Sequence, residues 1–260
     1  MGRIIMPNIR RIDTDGDGNP IPHKYYVTGD DRVSPTKALP GCTTLAGHAD
    51  SSSPDGLMTW AVNLYQDTGN RLEYKDSNLI ARDIGTQLHA EIEEYITTGE
   101  EPENASKLFG AWFSSVNENG VHFIAQEMLV YHPYLLYGGT LDAIGYVDGQ
   151  PTLFDWKTTD EYRLKRDEDG RLTGKTNPKK FDDNISYVVQ LGGYMAALRE
   201  MAKTEKHVLP TQAYLVYVFK DTLKTKWVKV NLDRAEEVFE ESAKLHKMIL
   251  GSKRGGLYAV

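Results

Sequence analysis

Apolar residues recur along this chain with two distinct periods. Between Ser77 and Thr97, Ile84, Leu88, Ile92 and Ile96 fall at i, i+4 spacing, which predicts an amphipathic helix. The pattern then changes. Phe123 to Tyr131, Leu135 to Val147 and Thr152 to Lys157 are runs rich in β-branched and aromatic residues, separated by His132-Pro133-Tyr134 and Asp148-Gly149. Such runs between turn residues predict an antiparallel meander. A helix over Asp183 to Ala202, a strand over Ala213 to Phe219, a short strand over Trp227 to Val230 and a terminal helix carrying Val238, Phe239, Ser242, Leu245 and Ile249 follow. Upstream, Pro54 and Asp55 open a short predicted helix over Leu57 to Tyr65. Residues 1–55 are rich in Gly, Pro, Asp and Thr, with strand-like stretches at Ile9 to Ile12 and Tyr25 to Thr28, and read as a hairpin arm and loops. This order predicts an α/β fold, a central mixed sheet flanked by helices. The 1–55 extension is expected to belong to the same unit as a main domain over 56–260, and 158–182 is expected to be a basic loop.

Composition narrows the function. The chain has 260 residues, of which 40% are apolar and 26% charged, enough to build a core. The longest apolar run, Ala213 to Phe219, is far short of the ~20 residues that span a bilayer. The start has no apolar segment of a secretory leader, and Met6 stands where an acylation motif wants Ser or Thr. An intracellular, cytoplasmic protein with no membrane association is expected. The single cysteine, Cys42, excludes an internal disulfide, a four-cysteine zinc site and a four-cysteine iron-sulfur cluster; in its loop-like PGCTTLAG setting it reads as a buried spectator. A net charge of −7 argues against coating nucleic acid by bulk electrostatics. Between Lys157 and Lys180, however, eight basic residues face five acidic ones, a local excess of three positive charges.

Two motifs come close to known loops and fail. Asp13-Thr14-Asp15-Gly16-Asp17-Gly18 opens like a calcium loop, but its twelfth position is Lys24, where a bidentate Glu must close the shell. Turn residues at a hairpin tip are the simpler reading. Asp169 to Thr176 resembles a phosphate-binding loop but lacks its first Gly and a preceding apolar strand, and Pro178 blocks the helix that should follow. No nucleotide cofactor is expected.

The chemistry concentrates around the Asp148-Gly149 turn. A two-residue hairpin there pairs Val147 with Gln150, Ile144 with Leu153 and Asp142 with Asp155. Two carboxylates then stand roughly 5 Å apart, where like charges destabilise a sheet unless something compensates them. Lys157, two residues past Asp155, lies on the same strand face. Two acids and a lysine suit a divalent-cation hydrolytic site, although a salt-bridged surface patch would share the pattern. His89 borders the apolar stripe of the Ser77–Thr97 helix, as a core residue or a metal ligand. Tyr187, Gln190 and Tyr194 share one face of the later helix, where they can be satisfied polar residues or hold phosphate oxygens.

The ordered set Gly85-Thr-x-x-His89, Gly139-Thr-Leu-Asp142, Asp155-Trp-Lys157 and Gln190-x-x-x-Tyr194 resembles the RecB-type exonuclease branch of the PD-(D/E)xK nuclease superfamily. With Thr43-Thr44-Leu45 and Leu57 to Ala61 it is most similar to phage exonucleases and the mitochondrial genome-maintenance exonuclease, over about residues 40–220. The resemblance implies a restriction-endonuclease-like core and a Mg2+- or Mn2+-dependent deoxyribonuclease with one or two ions. The implied metal ligands are His89, Asp142, Asp155 and the carbonyl of Trp156; Lys157 is implied to be catalytic, and Gln190 and Tyr194 to support the site and contact substrate. Glu127 matches a further acidic position. The relatives' iron-sulfur cluster has no cysteines here. Digestion of single-stranded DNA or from DNA ends, in replication, recombination or repair, is expected, with a single-strand annealing or replication protein as a candidate partner. A structure-specific endonuclease, a catalytically idle DNA-binding scaffold and an RNA substrate stay open as alternatives. Arg163, Lys165, Arg166, Lys175, Lys179 and Lys180 are candidate phosphate contacts on the basic loop.

Overall fold

The computed structural model describes residues 7–49, 62–63, 65, 68–70, 72–167, 172–178, 184–204 and 206–251. The elements run β1 (Asn8–Thr14), β2 (Pro20–Thr28), α1 (Cys42–Ala46), a 3-10 turn (Gly47–Ala49), α2 (Glu73–Thr98), α3 (Lys107–Glu118), β3 (His122–His132), β4 (Tyr137–Val147), β5 (Gln150–Thr159), β6 (Tyr162–Arg166), β7 (Leu172–Pro178), α4 (Ile185–Met201), β8 (Gln212–Phe219), β9 (Thr225–Val230) and α5 (Leu232–Gly251). Most of the helix expected over Leu57 to Tyr65 lies outside the described residues.

The central sheet has five strands in the order β3-β4-β5-β8-β9. Strands β3, β4 and β5 form the expected meander. Asp148 and Gly149 both have positive φ, 50° and 73°, as a two-residue hairpin turn with the right-handed strand twist requires. That turn sets the register Val147↔Gln150 through Ala143↔Phe154. Strand β5 then crosses through α4 to β8, which pairs with it in parallel, and β9 returns antiparallel. The sheet is therefore mixed.

Alternation along β5 separates the two cores. Leu153 faces α4 and α5, where it joins Leu191, Leu198 and Phe239. Phe154 and Trp156 face α2 and α3, packing with Leu88, Ile92, Phe109 and Trp112. Helix α4 is buried continuously from Val189 to Leu198, which its lack of a polar stripe requires. It approaches α5 so closely that a Cβ on Gly192 would lie 2.2 Å from the carbonyl carbon of Ala235. Among the described residues no helix is long and apolar enough to cross a membrane.

Three local expectations change. Cys42 begins a short helix rather than sitting in a loop, and its thiol is buried. Segment 158–182 is not simply a loop: β5 extends to Thr159, and β6 and β7 form a two-stranded ribbon. The ribbon's runs are short and highly charged, with only Tyr162 and Leu164 alternating in β6, too few positions to predict a strand. Helix α3 was not anticipated, although Phe109, Trp112 and Val116 mark its buried face and the Ser106 side chain caps it by accepting from Phe109 N.

Candidate active site

The site forms where β4 and β5 part company. Their recorded pairing ends at Ala143↔Phe154, while β5 stays paired with β8 as far as Thr159. One step beyond that last pair, Asp142 enters the gap: its Oδ2 accepts a 2.7 Å hydrogen bond from the main-chain N–H of Trp156. On the other side of β4, the pairs Gln126↔Ala143 and Met128↔Leu141 bracket Glu127 and Asp142 and set them opposite each other. Three carboxylates, on Glu127, Asp142 and Asp155, thus lie side by side on three adjacent strands. Glu127 has a φ of 42°, the left-handed region that a non-glycine residue occupies at an energetic cost.

Helix α2 closes the site from above. A Cβ on Gly85 would lie 3.2 Å from Thr158 Oγ1, so the helix sits hard against the end of β5. Leu88 and Ile92 bury the adjoining stripe and turn His89 toward the gap, with Nδ1 3.9 Å from Asp142 Oδ1. His89, Glu127 and Asp142 each offer a ligand atom, and these lie within 4.8 Å of one another. An imidazole and two carboxylates at that spacing can hold a divalent cation.

Asp155 and Lys157 form a pair behind this group. The Asp155 side chain is 0% exposed and the Lys157 side chain 20%, with Nζ 2.5 Å from Oδ2. Neither oxygen of Asp155 receives a hydrogen bond of ordinary geometry from the described residues, so the ion pair with Lys157 is its main compensation. Burial pushes the Asp155 carboxyl well up, the Lys157 charge pulls it back, and Asp142 adds to the rise. For Lys157 burial works against the ammonium, but Asp155 and Asp142 together outweigh it and hold the amine protonated beyond its ordinary range. Burial first, and then the charge of Asp142, raises Glu127 to about 7. A row of three acids, Asp155 buried and Glu127 and Asp142 partly so, suits a divalent cation, and the residues present fit one.

Arg11, Asp13 and His23 of the hairpin, Arg82, Gly85, Thr86 and His89 of α2, and Glu127, Trp156, Lys157, Thr158 and Tyr187 line a cleft of about 560 Å³ at this place. Asp155, though beside Lys157, lies outside the His89–Glu127–Asp142 group. Gln190 and Tyr194 do not line the cleft. They are buried beneath it, Gln190 Nε2 donating to Tyr194 Oη at 2.5 Å, and the Cys42 thiol donates to the Gln190 carbonyl. The α4 residue that reaches the cleft is Tyr187, whose ring centre lies 5.0 Å from Lys157 Nζ. Lys165 is exposed on β6 and is not among the lining residues; Arg163 and Arg166 fall on β6, Lys175 on β7, and Lys179 and Lys180 outside the described residues.

No protein-family model matches this chain, and no curated protein does. Among solved structures it is similar to the protein SSO0001, at 14% identity over 79% of this chain and 75% of that one, with a TM-score of 0.34. It is also similar to the alkaline exonuclease LHK-Exo from Laribacter hongkongensis, at 12% identity over 85% and 95% of the two chains, with a TM-score of 0.32; that enzyme's complex with dAMP matches equally.

Proposed function

We propose that this chain is a Mg2+-dependent deoxyribonuclease that hydrolyses phosphodiester bonds from DNA ends. The observation that carries the reading is that His89, Glu127 and Lys157 line one cleft, with Asp142 within ligand distance of His89 and Glu127 and with Asp155 buried against Lys157. The four ordered sequence motifs that resemble RecB-type nucleases supply these residues, Glu127 excepted.

His89, Glu127 and Asp142 would hold the ion, joined by Asp155 and the Trp156 carbonyl as the motif resemblance implies. When bound, a divalent cation polarises the phosphodiester and makes water a stronger nucleophile near neutral pH. The remaining tasks fall to the chain itself. Lys157, kept protonated by two carboxylates, serves as a fixed positive charge for phosphoryl oxygens, where negative charge grows during the reaction. The Tyr187 ring flanks that ammonium and limits where it points. The hydrogen bond from Trp156 N to Asp142 fixes one carboxylate rotamer before any ligand arrives. Gln190 and Tyr194 act from beneath as packing and hydrogen-bonding support.

The test is digestion of matched linear and covalently closed circular DNA, single- and double-stranded, in Mg2+, with Asp155→Ala as the blank. Loss of linear DNA alone, dependent on Asp155, is expected. Cutting of closed circles would replace the exonuclease reading with an endonuclease. Absence of any Mg2+-dependent product would leave a DNA-binding scaffold.

A further inference from the structure

The cleft has a second wall, built by the N-terminal β1–β2 hairpin. Tyr25 anchors that hairpin to the main fold: it is buried, and Gly138 lies under its ring, where a Cβ would approach to 2.5 Å. Strand pairing places Arg11 opposite Tyr25, so the anchor also sets where Arg11 points. Arg11 Nε donates to Asp13 Oδ2 at 3.0 Å, and Nη1 donates to Thr140 Oγ1 at 3.0 Å while standing 3.8 Å from Glu127 Oε2. Asp13 is held in turn, its Oδ1 lying 2.7 Å from His23 Nδ1. A continuous polar chain from His23 through Asp13 and Arg11 therefore reaches the carboxylate cluster. Nη2 of Arg11 has no partner among the described residues.

A guanidinium fixed on two sides, with spare N–H groups facing a cleft, is preorganised to bind phosphate. Arg82, across the cleft, is not comparable: its side chain is 61% exposed and among the described residues meets only its neighbour Asp83, at 3.9 Å. We propose that Arg11 is a substrate-binding residue that takes a backbone phosphate of the DNA strand beside the metal cluster, with Asp13 as its positioning residue. This rests on the nuclease reading above and adds a site that the sequence motifs do not include. It also gives the hairpin a function where its sequence shows only turn chemistry.

The experiment is equilibrium binding of an end-labelled oligothymidylate to the full chain in Ca2+ across a salt series, with steady-state digestion in Mg2+ alongside. Loss of one phosphate contact should flatten the dependence of log K on log salt by about 0.7 for a single strand. Arg11→Ala is expected to show that flattening, with affinity about tenfold weaker and KM raised more than kcat falls. Arg11→Lys should recover the slope but not the full affinity, because the charge returns without the fork. Asp13→Asn should keep the slope and weaken binding less. If Arg11 only neutralises Glu127, Arg11→Ala will keep the wild-type slope and lower kcat instead, which overturns the proposal. An unchanged affinity in Arg11→Ala, with wild type binding and digesting DNA, also overturns it while leaving the nuclease reading intact. A wild-type chain that neither binds nor digests DNA removes both.

Discussion

Replacing Lys157 by Met tests the Asp155–Lys157 pair on stability alone, independently of catalysis. Asp155 is wholly buried, no hydrogen bond of ordinary geometry from the described residues reaches its oxygens, and Lys157 Nζ at 2.5 Å is the compensating charge. Removing one partner of a buried pair costs about 3–5 kcal/mol because the other charge is stranded. That is a large share of the roughly 5–15 kcal/mol that holds a typical domain together. Replacing both, as Asp155→Asn with Lys157→Met, removes the stranded charge and should recover most of the loss. Urea denaturation of the wild type, both single variants and the double variant, without metal, gives the coupling energy directly.

The pH dependence has a definite sign. Burial raises the folded-state pKa of Asp155 above the ordinary value of 3.8, so the folded chain holds that proton more tightly than the unfolded chain. Stability from this group is complete below the unfolded pKa and is lost as pH rises through the folded one. Without Lys157 the folded pKa climbs further, so the penalty of Lys157→Met should be small in acid and grow toward neutral pH. A Lys157→Met protein with the same destabilisation at both ends of that range would refute the argument, since it would mean that Asp155 is solvated.

Other predictions concern the cation and the packing. Burial and the charge of Asp142 push the Glu127 carboxyl up to about 7, so protons should compete with the ion. Mn2+ affinity should fall as pH drops below that value, and Glu127→Gln should bind more weakly with a flatter pH profile in a calorimetric titration. Mg2+ at about 100 times its dissociation constant should stabilise the wild type by about 2.7 kcal/mol, raising the thermal midpoint. Asp142→Ala should abolish that rise. A Cβ at Gly193 would lie 2.4 Å from the Phe239 ring and 2.5 Å from Cys42 Sγ, so Gly193→Ala should cost about 1–3 kcal/mol in urea denaturation. The Cys42 thiol is buried and pushed well up in pKa, first by burial, and should resist thiol reagents until the chain unfolds.

How far sequence carries toward this site depends on how local the controlling physics is. The Asp148-Gly149 turn fixes one register, and from it alone Asp142, Asp155 and Lys157 arrive at one end of one hairpin. His89 is readable because the stripe beside it must face the sheet. Glu127 is harder: its contact with Asp142 depends on the β3–β4 register, set by the connection between His132 and Tyr137, which lacks the sequence signal of a two-residue Asp-Gly turn. The residues missed entirely, Arg11, Asp13 and His23, reach the cleft through Tyr25 packing on Gly138, a contact between distant parts of the chain that no periodicity encodes. Gln190 and Tyr194 sit on the expected helix face, but the approach of α4 to the sheet buries them and puts Tyr187 at the surface of the cleft instead.

Cation binding and DNA cleavage can be followed in one preparation. Wild-type protein and Asp142→Ala, matched in fold by circular dichroism, would be titrated with Mn2+ by electron paramagnetic resonance and then given end-labelled linear DNA. The wild type should bind Mn2+ and release labelled nucleotides, while Asp142→Ala should lose both. Digestion by Asp142→Ala at the wild-type rate, or a folded wild type that binds no Mn2+, would contradict a metal-dependent nuclease built on this cluster.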